Sequence, residues 1–311
     1  MPRLKAAQLA ARIAPWAVAT AILGLLFHSI DPADVADGFR KAAGWTVPIL
    51  AALFVLLFLA DGLAAWKTFS WFCAPITYSE TLLVRGAAYP LSLINYTVGQ
   101  GAFAWFLHRT RNVPLLRCTA TVLLVMGINL LALLLLASVG LRAGRDVPEA
   151  LGAVLAVAYI GLAAYALLVA IQPRWLASRP IFDVLLQAGL SGHLRALAVR
   201  LPHVAVLVAM SFLNLRAFGI EVPLVQALLL LPVVYFVSVL PISVQGLGTS
   251  QAMMVLLFTR FVPADVANPK SLVLAASLAG QLIATVVQLV IGIVCLRSPL
   301  GRSLLQPTPE A

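Results

Sequence analysis

The stretch LPVVYFVSVLPISVQGLGTSQAMMVLLF, residues 231–258, decides how this chain folds. An apolar run stops at Pro241, passes through Ile242-Ser243-Val244-Gln245-Gly246-Leu247-Gly248-Thr249-Ser250-Gln251, and resumes as a second apolar run. Neither run reaches the roughly 20 apolar residues that a bilayer-crossing helix needs. Broken backbone at membrane depth leaves N–H and C=O groups that lipid cannot satisfy, so it survives only where protein buries it or a wet cavity receives it. A short extramembrane loop between two tilted helices is the competing explanation. Against that loop stands the absence of any charge between Glu221 and Arg260.

Composition supports the membrane setting. Of 311 residues, 62% are apolar and 10% charged, and the mean hydropathy is +1.02, which excludes an ordinary soluble domain. A net charge of +10 raises the question of nucleic acid, but the Lys and Arg residues lie between apolar runs, as cytoplasmic loops of a polytopic protein require. No nucleic-acid partner is expected. Cys73, Cys118 and Cys295 stand apart with no CxxC and read as packing residues. Arg3, Lys5 and Arg12 precede the apolar run 13–30, and an uncleaved first helix fits the spans that follow better than a signal peptide does.

Further spans are read at 45–66, 114–139, 147–171, 201–220 and 271–296. Residues 31–44 read as an interfacial helix begun by Asp31-Pro32. Residues 181–200, with Ile181, Leu185, Leu190, Leu194 and Leu197 at near-helical spacing, read as an amphipathic helix on the membrane surface. The stretch 78–111 carries Glu80, Arg85, Pro90, Asn95 and Gly99-Gln100-Gly101, and reads as a second broken hairpin. With the N-terminus cytoplasmic, 13 Lys and Arg residues fall on the cytoplasmic side against 7 outside, which places the C-terminus inside as well. The order span, span, hairpin, span then occurs twice with opposite orientation, in halves of about 1–140 and 147–300. The fold expected is an all-α polytopic membrane protein with about six full transmembrane helices and two re-entrant or broken hairpins in an inverted repeat. Matching interruptions in two inverted halves point to a transporter's binding site.

The run Leu240-Pro241-Ile242-Ser243-Val244-Gln245-Gly246-Leu247-Gly248 resembles the Pro…Gly-Leu-Gly signature of the lysylphosphatidylglycerol synthase transmembrane-region family, whose members are also called flippase-like. Trp66-Lys67, Asn95 before its Gly-rich break, and Asn129-Leu130-Leu131-Ala132-Leu133 fit the same family. The resemblance implies a lipid flippase-like protein of the bacterial cytoplasmic membrane. It would bind or translocate a phospholipid, polyisoprenoid or glycolipid headgroup in a cavity between the two broken helices. The family's usual Arg-Glu after Gly-Leu-Gly is Ser250-Gln251 here, its acid after the first break is Ala102 or Phe103, and its Glu-Arg…Asp pattern in the third span is Val125-Met126…Asn129. These replacements imply a divergent member that moves a less charged lipid or has lost transport.

The substrate-binding residues expected are Arg85, Asn95, Gln100, Gln245, Gly246, Gly248, Ser250, Gln251 and Gln281. Arg85 suits a phosphate or a pairing with Glu80. Ser277, Gln281, Thr285 and Gln288 share one face of the last span, where they serve either helix contacts or a cavity. Asn129 and Asn214 read as structural amides, Asp61 as a capping or snorkelling residue near Lys67, and the four histidines carry no ligand spacing. No metal or cofactor is expected. Motifs for metal-bound diphosphate, zinc hydrolysis, a serine nucleophile or a phosphate-binding loop are missing, and the chain reads as no enzyme. The alternative function is a non-transporting accessory subunit that docks a separate synthase or glycosyltransferase.

Overall fold

The computed structural model describes residues 31–305 except positions 43, 95, 144–148, 178 and 240–245, together with positions 24, 25 and 28. The first apolar run therefore lies outside the described residues. Among those described the regular structure is helical. The elements are α1 (Pro32–Lys41), α2 (Thr46–Phe72), α3 (Tyr78–Ile94), α4 (Tyr96–Arg111), α5 (Leu115–Ala143), α6 (Glu149–Ile171) and the single turn α7 (Arg174–Ala177). They continue with α8 (Pro180–Ala217), α9 (Leu224–Val239), α10 (Thr249–Phe258), α11 (Pro269–Arg297) and α12 (Pro299–Leu305).

Among the described residues four helices are long and apolar enough to cross a membrane: Thr46–Phe72, Leu115–Val139, Ile181–Ala217 and Pro269–Arg297, with mean hydropathies of 1.9 to 2.7. Leu155–Ile171 and Leu224–Phe236 are shorter apolar helices. Their outward faces carry exposed Val157, Ile160, Leu167, Leu282 and Val294, a surface that suits lipid tails.

Both interrupted stretches fold back on themselves. In the first, Arg111 at the end of α4 donates through Nε to Glu80 Oε1 at the start of α3 (2.7 Å), closing the base of a hairpin. In the second, Glu221 N, just before α9, donates to Phe261 O, just past α10 (3.0 Å). Each turn presses a glycine onto a serine of the preceding helix. A Cβ at Gly99 would lie 2.6 Å from Ser92 Cα, and one at Gly246 would lie 2.9 Å from Ser238 Cα. Gly246 and Gly248 also hold φ of +72° and +84°, where a side chain is strained.

The hairpins pack across the molecule. Helix α3 lies on α11, where Gly292 admits Pro90 (Cδ 2.7 Å from a Cβ placed there). Helix α9 lies on α5. Small residues let backbones approach where no hydrophobic force drives helices together. Helices α2 and α8 pack on each other between the hairpins.

Three sequence expectations are corrected. The helix read at 181–200 does not end there. The backbone breaks at Gly189 (φ 57°, ψ −179°), and beyond that break the helix continues through Pro202 to Ala217. The cysteines are not all isolated, since Cys73 and Cys118 bring their sulfurs to 3.7 Å. Arg85 does not pair with Glu80, which is taken by Arg111 and holds that guanidinium's pKa above its ordinary value through their hydrogen bond. The Asp31 start holds: its side chain accepts from Ala33 N at 2.8 Å, and α1 then lies against α11, where a Cβ on Gly38 would meet Ala275 Cβ at 2.8 Å.

Candidate functional site

A cavity of about 330 Å³ lies among α2, α3, α4, α5, α8, α9, α10 and α11. One hydrogen-bonded chain of side chains crosses it. Gln100 Oε1 on α4 accepts from Arg85 Nη1 on α3 (3.0 Å), and Arg85 Nε donates to Asp61 Oδ2 on α2 (2.8 Å). Asp61 Oδ1 accepts from Arg200 Nη1 on α8, and Arg200 Nε donates to Asn129 Oδ1 on α5 (3.0 Å). The side chains of Asp61, Arg200 and Arg85 are only 5%, 7% and 14% exposed. His203, one turn beyond Arg200, places Nδ1 3.9 Å from Asp61 Oδ1 and 3.4 Å from Leu57 O. The Arg85 guanidinium also stands 5.3 Å from the centre of the Phe103 ring, a cation–π contact.

Burying a charge is tolerable only when it is paired and its hydrogen bonds are met. Asp61 supplies the carboxylate for both arginines, and the amide oxygens of Gln100 and Asn129 receive further N–H groups. The single carboxylate thus joins α2 to both α3 and α8, and fixes two guanidiniums at the wall of one cavity.

The opposite wall is neutral. Ser250, Gln251 and Met254 come from the first turns of α10, Ser238 and Tyr235 from α9, and Ser277, Gly280, Gln281 and Gln288 from α11. Gln251 is 1% exposed; its Oε1 accepts from Gly248 N (2.7 Å) and Ser250 Oγ (3.1 Å), so it caps the helix start. Asn214 donates from Nδ2 to Ala276 O (2.8 Å), which orients the amide and leaves buried Oδ1 without a hydrogen-bond partner. Gln288 Oε1 is likewise buried and unpartnered.

Of the residues expected from sequence, Arg85, Gln100, Ser250, Gln251 and Gln281 line this cavity. Gly246 and Gly248 shape the turn beside it, while Asn95 and Gln245 lie outside the described residues. From the polar stripe, Ser277, Gln281 and Gln288 face the cavity and Thr285 is not among its lining residues.

Four lining residues were assigned other roles by sequence. Asp61 is no interfacial cap: Lys67 sits 4.0 Å over the Trp66 ring instead, and Asp61 is buried between two arginines. Arg200 belongs to the cavity and not to a cytoplasmic loop, because α8 carries it inward. His203 lines the same wall, and Asn129 is a ligand of Arg200. An ionisable residue inside an apolar run is a functional candidate by default, and Asp61 in 45–66 gave that signal. His203 in 201–220 gave it too, whereas Arg200 gave none until the helix boundary moved.

A second cavity, of about 430 Å³ and almost wholly apolar, opens among α5, α6, α8 and α9 and shares Leu133 with the first. Its polar groups include Tyr165 and His193, joined Oη to Nε2 at 2.7 Å. Among the described residues no cluster of His, Cys, Asp or Glu suits a metal ion.

No curated protein matches the chain. The family model described as "Lysylphosphatidylglycerol synthase TM region" matches residues 12–292, which include both hairpins and every charged residue of the cavity. The chain is an integral membrane protein that belongs to the lysylphosphatidylglycerol synthase transmembrane-region family.

Proposed function

We propose that this protein is a flippase-like lipid translocator of the bacterial cytoplasmic membrane. It passes a phospholipid or polyisoprenoid headgroup through the cavity between its two broken hairpins, and it makes or breaks no covalent bond. One observation carries the reading: Ser92 and Gln100 from one hairpin turn, and Ser238, Ser250 and Gln251 from the other, line one polar cavity inside an apolar helical bundle. Two re-entrant hairpins entering from opposite faces, each about half the ~30 Å hydrocarbon core in depth, meet at that level. An inverted repeat supports this arrangement. Helix α3 of the first hairpin packs on the last span, as α9 of the second packs on α5.

The direct test is transfer of a fluorescent phospholipid between leaflets of vesicles reconstituted with the protein. Transfer well above that of protein-free vesicles supports translocation. Background transfer, together with tight capture of a lipid synthase or glycosyltransferase, establishes the accessory-subunit alternative. The orientation that goes with the proposal has both termini cytoplasmic. In a background lacking the native cysteines, Arg174→Cys is expected to label from the cytoplasmic side and Ala264→Cys from the outer side with a membrane-impermeant thiol reagent. Labelling of both from one side removes the inverted repeat.

A further inference from the structure

The fold brings Cys73 and Cys118 together, and the proposed passage of lipid uses neither. Their sulfurs stand 3.7 Å apart although 45 positions separate them in the chain. Cys73 caps the end of α2, just before hairpin α3–α4, and Cys118 lies in the first turn of α5, just after it. A bond between them closes a ring that holds the whole hairpin, with Arg85 and Gln100 of the cavity inside it. Reaching that bond asks little of the structure. Closing 3.7 Å to the ~2.05 Å of a disulfide brings the sulfurs about 1.7 Å nearer. Cys118 is held in helix α5 and buried, whereas Cys73 is half-buried where the chain leaves helix α2. One sulfur can therefore approach the other without unwinding a helix.

We propose that Cys73 and Cys118 are a reversible redox pair whose disulfide staples the two feet of hairpin α3–α4. Their surroundings favour it. Arg117 Nε donates to Phe72 O (3.2 Å), which ties the start of α5 to the end of α2 and keeps a positive charge beside the pair. The hydrogen bond from Cys118, aided by the Arg117 charge, holds the Cys73 thiol below its ordinary range, against the effect of burial. The thiolate is the reacting form, so Cys73 attacks and Cys118 resolves. The co-reactant is a small disulfide. The Cys73 thiolate bonds to one of its sulfurs, the small S–S bond breaks, and a thiolate leaves and takes up a proton. Cys118 gives up its proton, attacks the Cys73 sulfur of the mixed disulfide and expels the second thiol. The protein loses two electrons and two protons, and the small disulfide gains them as two thiols. Excess thiol runs both steps backward. The pair works in this way whatever the cavity carries.

The test uses the full chain in detergent, equilibrated in buffers of oxidised and reduced glutathione and quenched with an alkylating reagent. Peptide mapping of the native chain is expected to find a Cys73–Cys118 bond within one chain, reversed by reduced glutathione. Cys295, buried with its sulfur 4.0 Å from Leu82 O, is expected to stay a thiol. The folded pair is expected to oxidise at a glutathione ratio at least about tenfold more reducing than the chain unfolded in urea and dodecyl sulfate, because unfolding disperses the thiols. Oxidation is expected to raise Tm, since the ring restricts the unfolded chain. That rise is expected to vanish in Cys73→Ser and in Cys118→Ser and to persist in Cys295→Ser. Free thiols at both positions in oxidising buffer, a bond to Cys295 or between chains, or glutathione left on Cys73 overturns the pair. So does oxidation of folded and unfolded chain at the same ratio. A Tm unchanged or lowered by oxidation overturns the staple.

Discussion

Hairpin α3–α4 is closed at its base by an ion pair, Glu80 to Arg111, and sends Arg85 into the cavity; hairpin α9–α10 is closed by a backbone hydrogen bond and sends in only hydroxyls and amides. Their shapes match nonetheless. Each presses a glycine on a serine, and α3 packs on α11 as α9 packs on α5. The difference teaches that shape and charge are separable in this fold. The glycine turns shape the cavity, and the Asp61 cluster charges its wall. Hairpin α9–α10 has no Asp, Glu, Lys, Arg or His from Leu224 to Phe258, so the charges among the described lining residues come from α2, α3 and α8.

Breaking the charged side is expected to have the largest effect. Asp61→Ala leaves two buried guanidiniums without their shared carboxylate, a loss of about 3–5 kcal/mol for an orphaned buried charge. Thermal unfolding in detergent is expected to show a large fall in Tm. A Tm within the error of the parent value refutes the shared-carboxylate role.

The turns are next, and they separate the two hairpins. Gly246→Leu meets Ser238 and also places a side chain at φ +72°, whereas Gly99→Leu meets Ser92 at a helical backbone. Left-handed backbone costs a substituted residue about 1–2 kcal/mol beyond the clash. Leaflet transfer is expected to be lost in both, with Gly246→Leu the less stable of the two. Equal stability means the turn at Gly246 relaxes, and the shape comparison fails.

Much of the fold was legible because it follows from length and polarity. Apolar runs interrupted by Gly, Pro and amides mark the breaks, at Gly99-Gln100-Gly101 and at Val244-Gln245-Gly246. The ion cluster was not legible, because its members are distant in sequence: Asp61 and Arg200 are 139 residues apart. Reading 181–200 by its apolar spacing assigned Arg200 to a surface helix. The continuation through Pro202 is set by packing of α8 on α2 and α5, which no local pattern reports. The lost family charges at 250–251 suggested a cavity with little charge, yet Arg85 and Arg200 reach it from other helices.

Sharper resolution of the charged side comes from Arg85. Arg85→Lys keeps the charge and loses the fork, so transfer of an anionic lipid is expected to fall about tenfold or less, and Arg85→Ala to fall further. Equal rates for the two variants place fork geometry ahead of charge. At the small end, Glu80→Gln removes a pair whose Arg111 side chain is 38% exposed. Such a pair contributes under about 1 kcal/mol, so a small shift in Tm and unchanged transfer are expected.

The central claim, that lipid passes through the cavity the two hairpins share, is tested most directly by plugging it. Gln281→Cys, in a background with Cys73, Cys118 and Cys295 replaced, places one thiol on the cavity wall. As a bulky thiol-reactive reagent modifies that site to completion, leaflet transfer is predicted to fall to the rate of protein-free vesicles and to recover when the adduct is reduced. Complete modification with transfer unchanged contradicts the account.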